Sequence, residues 1–463
     1  MFDWLLRLFG GERRPPRIAS DSGLFGDQGL ARNLSAVAPR EAPLPIRVEP
    51  ETNLVEGPIA GRMLITDDMA LISNIHSVFN SSMPVADRNG LWGRGAELKR
   101  LVASVLYQGR HGIIYGARGS GKTSLSRVFG DFADEHGNLV LYHSASGDSD
   151  FAGLMHPVAV ELASFGGSAA QRSLTPPPLQ SMDARNFGGW LIDHFDRPIL
   201  IVLDEFDRIA SQQTKADISS LMKFLSDIRA PIRLVLVGIA SDIDHLISGH
   251  PSLRRHLESL YIGPIAKEEL IALLDRCCQQ VDMTIDADVA DYIATAASGS
   301  PYHLRLFGLH AALSAAGEQR RQIEMRDAEA GFREALGEWE RISRDSSETL
   351  RALIPASPQA REAMCVAAIL DCYVPLFDAL TLRSALMDYG FEPAGIDDRV
   401  EQTIRALQPA LIQPSPGSYS FSDTLAPQFF VLMLRRGGDA RRVGIEQRDQ
   451  LGSAMTMLKE GFR

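Results

Sequence analysis

Four short apolar runs punctuate the first half of the chain: Gly112 to Tyr115 (GIIY), Asn138 to Ala145 (NLVLYHSA), Pro198 to Glu205 (PILIVLDE) and Ile232 to Ala240 (IRLVLVGIA). They are nearly continuous rather than alternating, as strands covered on both faces must be, because each side of the pleat meets a helix. Helical stretches separate them, and the alternation predicts a parallel sheet with covering helices. Ahead of the first strand, TDDMALISNIHSVF predicts a helix capped by Thr66, with Met69, Ile72, Ile75 and Phe79 recurring on the face that packs against the next domain. Behind the last strand, the segment from KEELIALLDRCCQQ to about Asp345 keeps a helical period. SPQAREAMCVAAIL, LTLRSALMDYG and DDRVEQTIRALQPALI then read as three more helices. In the following QPSPGSYSFSDTLAPQFFVLML, Pro414, Pro416 and Gly417 make a turn between two strand-like runs. Three helices and a two-stranded turn predict a winged-helix-like domain.

The two ends of the chain follow other patterns. In MFDWLLRLF, helical spacing brings Asp3 and Arg7 together, while Phe2, Trp4, Leu5, Leu6, Leu8 and Phe9 cover most of the remaining circumference. A helix this short is marginal alone in water and needs a surface. Docking on protein, either its own core or a partner groove, is the preferred reading. Peripheral membrane contact through Met1 to Phe9, helped by Arg13, Arg14 and Arg17, is the other, since one basic cluster and one short helix make a weak anchor. Pro39, Pro43, Pro45, Pro50 and Pro58 then mark a linker.

Composition narrows the class. With 463 residues, 45% hydrophobic and 23% charged, the chain has an ordinary globular make-up and length for about two to four domains. Its apolar runs fall far short of the roughly 18 residues that a spanning helix needs, which predicts a soluble, cytoplasmic protein. Cys277, Cys278, Cys365 and Cys372 lack zinc-ligand spacing and are expected to be reduced and buried. A formal charge of −11 requires any nucleic-acid surface to be a local patch.

The candidate chemistry lies in IIYGARGSGKTSLSR, Ile113 to Arg127. Gly116, Gly119, Gly121, Lys122 and Thr123 fit GxxxxGK[ST] between a strand and a helix. The glycines permit a tight loop whose amides face phosphate, Lys122 reaches the β and γ oxygens, and Thr123 ligates magnesium. Ser120 and Ser124 complete the expected nucleotide contacts. Where the third strand ends, Asp204 can hold the magnesium through water and Glu205 can orient and polarise the attacking water. ATP and Mg2+ are the implied ligands, and hydrolysis the implied reaction.

These motifs stand among others that carry a family likeness. LWGRGAELKRL (Leu91 to Leu101), LDEFDRI, LVLVGIASDIDHLISGHPSLRRHL and ASGSPYHLRLFGLHAA together resemble the AAA+ ATPases of the origin-recognition-like group, near relatives of the STAND signalling ATPases. The likeness covers roughly Gly90 to Gly317. It implies an α/β fold with an AAA+ P-loop core, an AAA+ rather than Rossmann sheet order, a helical lid and a C-terminal winged-helix-like domain. It also implies that Gly93 and Arg94 lie near adenine and ribose, that Arg255 is an arginine finger acting in trans with Arg254 beside it, and that Pro301 belongs to the lid's Gly-x-Pro. Arg305 matches a sensor arginine, and Ser241 or Asp242 stands at the first-sensor position. The expected divisions are an amphipathic basic segment (1–17), a Pro-rich linker (18–60), the ATPase core with its preceding helix (61–265), the lid (266–345), the winged-helix-like domain (346–432) and an Arg-rich tail (433–463).

The expected behaviour is an ATP-hydrolysing switch that forms a homo-oligomer with ATP and couples its nucleotide state to a partner. Two outputs stand open: a DNA-associated ATPase, or a STAND-like ATPase that regulates an unidentified effector protein without reading DNA. In the third helix of the C-terminal domain Asp397, Asp398 and Glu401 outnumber Arg399 and Arg405, the reverse of what phosphate contact wants. Arg435, Arg436, Arg441 and Arg442 offer a separate basic patch.

Overall fold

The computed structural model describes residues 67–81, 91–165, 174–238, 251–374 and 376–436. The expectations for the N-terminal segment, the linker, Thr66, Ser241, Asp242, Arg441 and Arg442 lie outside the described residues. No described helix is long and apolar enough to cross a membrane.

The core is a five-stranded parallel sheet made of β1 (His111–Tyr115), β2 (Leu139–Ser144), β3 (Ile199–Asp204), β4 (Ile232–Gly238) and β5 (Leu257–Tyr261). Its spatial order is β2-β3-β4-β1-β5, so the strand that feeds the P-loop lies between the fourth and fifth strands, the AAA+ arrangement. All six residues of β3 are buried, as its continuous apolar run requires. Helices α2 (Gly95–Leu101), α3 (Lys122–Glu135), α4 (Phe151–Phe165), α5 (Ala184–His194) and α6 (Gln212–Asp227) complete this layer. The fifth strand, LESLY, escaped the pattern because Glu258 interrupts it. That carboxylate is buried, yet it accepts a hydrogen bond from Ser104 Oγ at 2.9 Å and pairs with Arg100 and Arg110. Pairing is what makes a buried charge tolerable at this sheet edge.

The helix ahead of the core, α1 (Asp67–Val78), forms with a different face from the one expected. Ile75 and Phe79 are fully buried, but Met69 and Ile72 are 40% and 39% exposed. Leu71 and Val78 pack in their place, and the surface they meet belongs to the lid rather than to the sheet. A Cβ on Gly308 would lie 2.8 Å from the Phe79 ring, so the absence of a side chain there admits the phenylalanine.

The lid comprises α7 (Lys267–Gln280), α8 (Ala287–Ala297), α9 (Pro301–Gly317) and α10 (Met325–Ile342), with the two-residue strands β6 (Thr284–Ile285) and β7 (Gln322–Ile323) paired in parallel. After α11 (Arg344–Ala352) the chain runs α12 (Pro358–Tyr373), β8 (Phe377–Asp378), α13 (Ala379–Tyr389), α14 (Ile396–Leu407), β9 (Leu411–Ser415), β10 (Ser418–Phe421) and α15 (Ala426–Arg436). The three strands form an antiparallel sheet in the order β8-β10-β9, turning at Pro416 and Gly417. The apolar QFFVLML that follows is helix, and it runs past the expected boundary at 432. Phe429 and Phe430 are fully buried and their neighbours nearly so; an element apolar all round cannot be told from a strand by period. Trp339 of α10 stacks on Phe429 at 4.9 Å, and one continuous apolar cluster joins lid and C-terminal domain.

Asp371 on α12 sits within this junction and accepts a hydrogen bond from the Phe421 amide at 3.3 Å. Burial pushes its carboxyl up to about 7 from 3.8. Between those values the folded chain holds a proton that the unfolded chain has lost. The group's stabilising contribution is therefore fully present below about pH 4 and is lost as pH rises through about 7. Thermal melts of wild type and Asp371→Asn from pH 5 to pH 8 should show the wild type losing ground to the variant as pH rises; a gap independent of pH would refute this.

Candidate functional site

The loop between β1 and α3 is shaped by Gly116, Gly119 and Gly121, which hold φ of 154°, 77° and 93°. At Gly116 the constraint is space as well: a Cβ would come within 2.3 Å of the Ile262 carbonyl oxygen. Lys122 folds back over the loop and donates to the carbonyls of Gly116 (3.0 Å) and Ala117 (2.9 Å). Burial lowers its pKa, opposed by the nearby Asp207 and Asp204 carboxylates. Ser120 is buried and its Oγ has no partner among the described residues, an unmet polar atom within the loop.

A cavity of about 350 Å³ opens over this loop, a volume in the range of small-molecule sites. Gly119, Ser120, Gly121, Lys122, Thr123, Ser124, Asp204 and Glu205 line its polar part. Leu91, Trp92, Ile265 and Leu273 supply an apolar part. Gly116 lies behind the loop and lines a second cavity of about 70 Å³.

The two carboxylates at the end of β3 meet two hydroxyls from the neighbouring strand. Asp204 Oδ2 accepts from Tyr142 at 2.8 Å, and Tyr142 is itself 2.7 Å from Ser126 Oγ on α3. Burial raises the Tyr142 pKa, which keeps the phenol a neutral donor. Glu205 Oε2 accepts from Ser144 at 2.7 Å, and its Oε1 pairs with Arg208 at 3.0 Å. Glu205 has φ 54°, a left-handed backbone that costs on the order of 1 kcal/mol in a residue with a side chain and turns the chain sharply at the strand end. The Thr123 hydroxyl and the Asp204 carboxylate are hard oxygen donors, suited to a Mg2+ that keeps water and phosphate in its shell. No group of three or more His, Cys, Asp or Glu among the described residues could hold a metal by protein alone.

The residues expected from the family likeness divide. Arg94 lines the cavity and is buried, and both its terminal nitrogens are occupied: Nη1 donates to Glu97 at 3.1 Å and Nη2 to the carbonyls of Ser120 (3.0 Å) and Gly263, while Nε finds no partner among the described residues. It braces the P-loop from behind. Gly93 does not line the cavity; its φ of 63° and tight fit against Ile265 make it a turn. Pro301 opens α9 and lines the cavity, as does Arg305, whose Nη1 donates to the Asn80 carbonyl at 3.3 Å. Arg254 and Arg255 are exposed in the short helix Pro251–His256 and stand apart from the cavity lining. Sequence reasoning missed Trp92, Tyr302, Asp207 and Arg208, all of which line the cavity. Two of them, Asp207 and Arg208, lie in the LDEFDRI motif, so their proximity to the carboxylates was a usable signal.

The C-terminal domain reaches the same loop. A Cβ on Gly119 would lie 3.1 Å from Leu425 Cδ2, and the Leu425 carbonyl is 3.1 Å from His303 Nε2 in the first turn of α9. The smaller cavity, walled by Ser120, Ser298, Asp371 and Gln428, lies at this junction.

A family model described as Novel STAND NTPase 1 matches residues 82–371. No curated protein matches the chain. Among solved structures, the Walker-type ATPase of Pyrococcus abyssi is 15% identical, with 77% of this chain and 99% of that one covered, at a TM-score of 0.48. The Aeropyrum pernix ORC2 protein, solved in ADPNP-ADP complexes, is 16% identical over 78% and 96% at 0.43. The Thermotoga maritima RuvB branch migration motor is 16% identical over 72% and 91% at 0.37.

Two substitutions separate binding from chemistry. Lys122→Ala should weaken ATP binding about tenfold or more, the worth of a charge-assisted contact. Glu205→Gln should bind ATP normally yet release phosphate about a hundredfold more slowly. Fluorescent-nucleotide titration and a phosphate-release assay check both, and equal turnover in wild type and Glu205→Gln would remove the hydrolytic role.

Proposed function

Because the chain belongs to the Novel STAND NTPase 1 family, we propose that it is an ATP-binding and ATP-hydrolysing switch whose nucleotide state governs its assembly on a DNA or protein partner. The observation that supports this reading is the contact of Leu425 with both the P-loop glycine and His303 of the lid. A phosphate entering the loop competes with the carbonyls that now hold Lys122, and any shift of the loop is felt by the C-terminal domain and by α9 together.

In this reading the loop amides and Lys122 hold the β and γ phosphates, and Thr123 and Asp204 hold Mg2+. The metal, when bound, supplies charge neutralisation on the phosphate oxygens. Glu205 orients the attacking water, which competes with Ser144 and Arg208 for its carboxylate. Arg255, exposed and outside its own cavity, reaches a neighbour's γ-phosphate in a homo-oligomer, and Arg305 joins lid to nucleotide.

The C-terminal domain is read as winged-helix-like. Its α14 is a poor reader of duplex DNA, since Arg405 pairs with Glu401 at 2.5 Å and Asp397 engages Arg383 at 2.9 Å. With those pairs made, Asp398 offsets Arg399, and the helix offers phosphate no net positive charge. This favours a protein partner for α14, and it assigns any DNA contact to Arg435 and the arginines beyond it. Fluorescence anisotropy with duplex DNA at rising salt distinguishes the two outputs, because phosphate contact gives a steep salt dependence.

Hydrogen exchange in α15 should differ between the ADP state and a non-hydrolysable ATP analogue; identical protection in both would overturn the switch. Arg255→Ala should lower turnover about a hundredfold or more while leaving ATP affinity unchanged. Mixing it with Lys122→Ala should restore part of the activity, because one shared interface keeps an intact site and an intact finger. A monomer by light scattering with the ATP analogue would count decisively against the trans role.

A further inference from the structure

Asp204 is held at both of its carboxylate oxygens. Oδ1 accepts from the Glu205 amide at 2.8 Å, and Oδ2 accepts from the Tyr142 hydroxyl at 2.8 Å. The phenol oxygen lies 2.7 Å from Ser126 Oγ, and Ser126 Oγ lies 3.0 Å from the Thr123 carbonyl oxygen. Two hydroxyls, on β2 and α3, therefore bridge the two residues read above as holders of Mg2+. From this juxtaposition we infer that Tyr142 is a positioning residue for the metal site, fixing the Asp204 carboxylate against α3 through Ser126. The inference rests on the ATP and Mg2+ reading of the site.

The direction of the bonds follows from the protons available. A carboxylate that holds a cation is ionised and only accepts, so the phenol spends its single proton on Asp204 and must accept from Ser126. Burial, with the nearby Asp204 charge, raises the Tyr142 pKa, so the proton stays on the phenol. Ser126 has one proton for two neighbours, and giving it to Tyr142 makes the phenol a stronger donor. Ser126 is fully buried and Asp204 nearly so, which leaves water a poor substitute for these partners. The Arg127 guanidinium carbon lies 4.7 Å from the Tyr142 ring centroid and holds the ring against α3. A metal ligand fixed by its outer partners binds more tightly than one free to rotate. The phosphates, by contrast, rest on the loop amides and Lys122, so loss of the phenol should act on the metal and spare the nucleotide.

The test separates metal from nucleotide. The affinity of wild type, Tyr142→Phe and Ser126→Ala for a non-hydrolysable ATP analogue is measured by calorimetry with excess Mg2+ and again with EDTA, and the ratio of the two affinities is the gain due to the metal. Tyr142→Phe removes one oxygen and keeps the ring beneath Arg127. It should lose about tenfold or more of that gain while binding the analogue in EDTA as wild type does. Ser126→Ala should lose less in the same direction, and the double variant should lose less than the sum of the two, as members of one hydrogen-bonded chain do. The Mg2+ concentration for half-maximal phosphate release should rise by a similar factor in Tyr142→Phe, with turnover recovering at high Mg2+. An unchanged metal gain in Tyr142→Phe, or an equal loss with Mg2+ and with EDTA, overturns the inference while leaving the ATP site standing. Absence of any metal gain in wild type overturns both.

Discussion

Arg94 is a cation taken almost wholly out of water, and the geometry of the site depends on how it is satisfied. Burial lowers its pKa, opposed by Glu97, and its remaining reach goes to the carbonyls of Ser120 and Gly263. A buried charge holds its partners firmly, since losing one leaves an uncompensated ion in a poor dielectric. Those partners come from three parts of the chain: the first turn of α2, the P-loop, and the segment that leads from β5 into the lid. One side chain thereby ties the phosphate loop to the segment that leads into the lid.

The second determinant is strand register. β2 and β3 run parallel with Ser144 opposite Asp204, and alternation puts Tyr142 and Ser144 on one face of β2. Their hydroxyls meet the carboxylates of Asp204 and Glu205 respectively. A slip of one residue would turn both hydroxyls away and leave the buried Asp204 without its phenol partner. The acidic pair at the strand end is thus supported by its neighbouring strand, and the left-handed turn at Glu205 is held by contacts on either side of it.

The lid and the C-terminal domain share one apolar cluster, so they move as coupled bodies or not at all without exposing core. Phe307 of α9 lies 6.0 Å from Phe429 of α15 in an edge contact, and Trp339 covers the same ring. α1 adds Phe79 to the other side of α9. The element before the core and the lid reach the cavity by Asn80 and Pro301, while the C-terminal domain reaches the P-loop glycine and α9 by Leu425. Such a packed arrangement has few intermediate positions, which suits a two-state device.

Local chemistry wrote much of this into the chain. Glycines at 116, 119 and 121 with Lys122 and Thr123 can be read because the loop's strained backbone and its lysine are demanded at fixed spacing, whatever surrounds them. Four strands were legible from their nearly continuous apolar runs, most fully at β3, whose six residues are all buried, and the acidic pair because it ends that strand. What escaped was whatever depends on partners distant in sequence. Glu258 hid β5, since its acceptability in a strand depends on Arg100, Arg110 and Ser104. The inward face of α1 was misjudged, because only the groove at Gly308 decides which of its apolar residues are covered. QFFVLML carries no period because it is buried all round, and only the shared core shows it to be helix. Arg94 belongs with these, because the carbonyls of Ser120 and Gly263 that take up its guanidinium come from segments distant in sequence, and no local pattern encodes them.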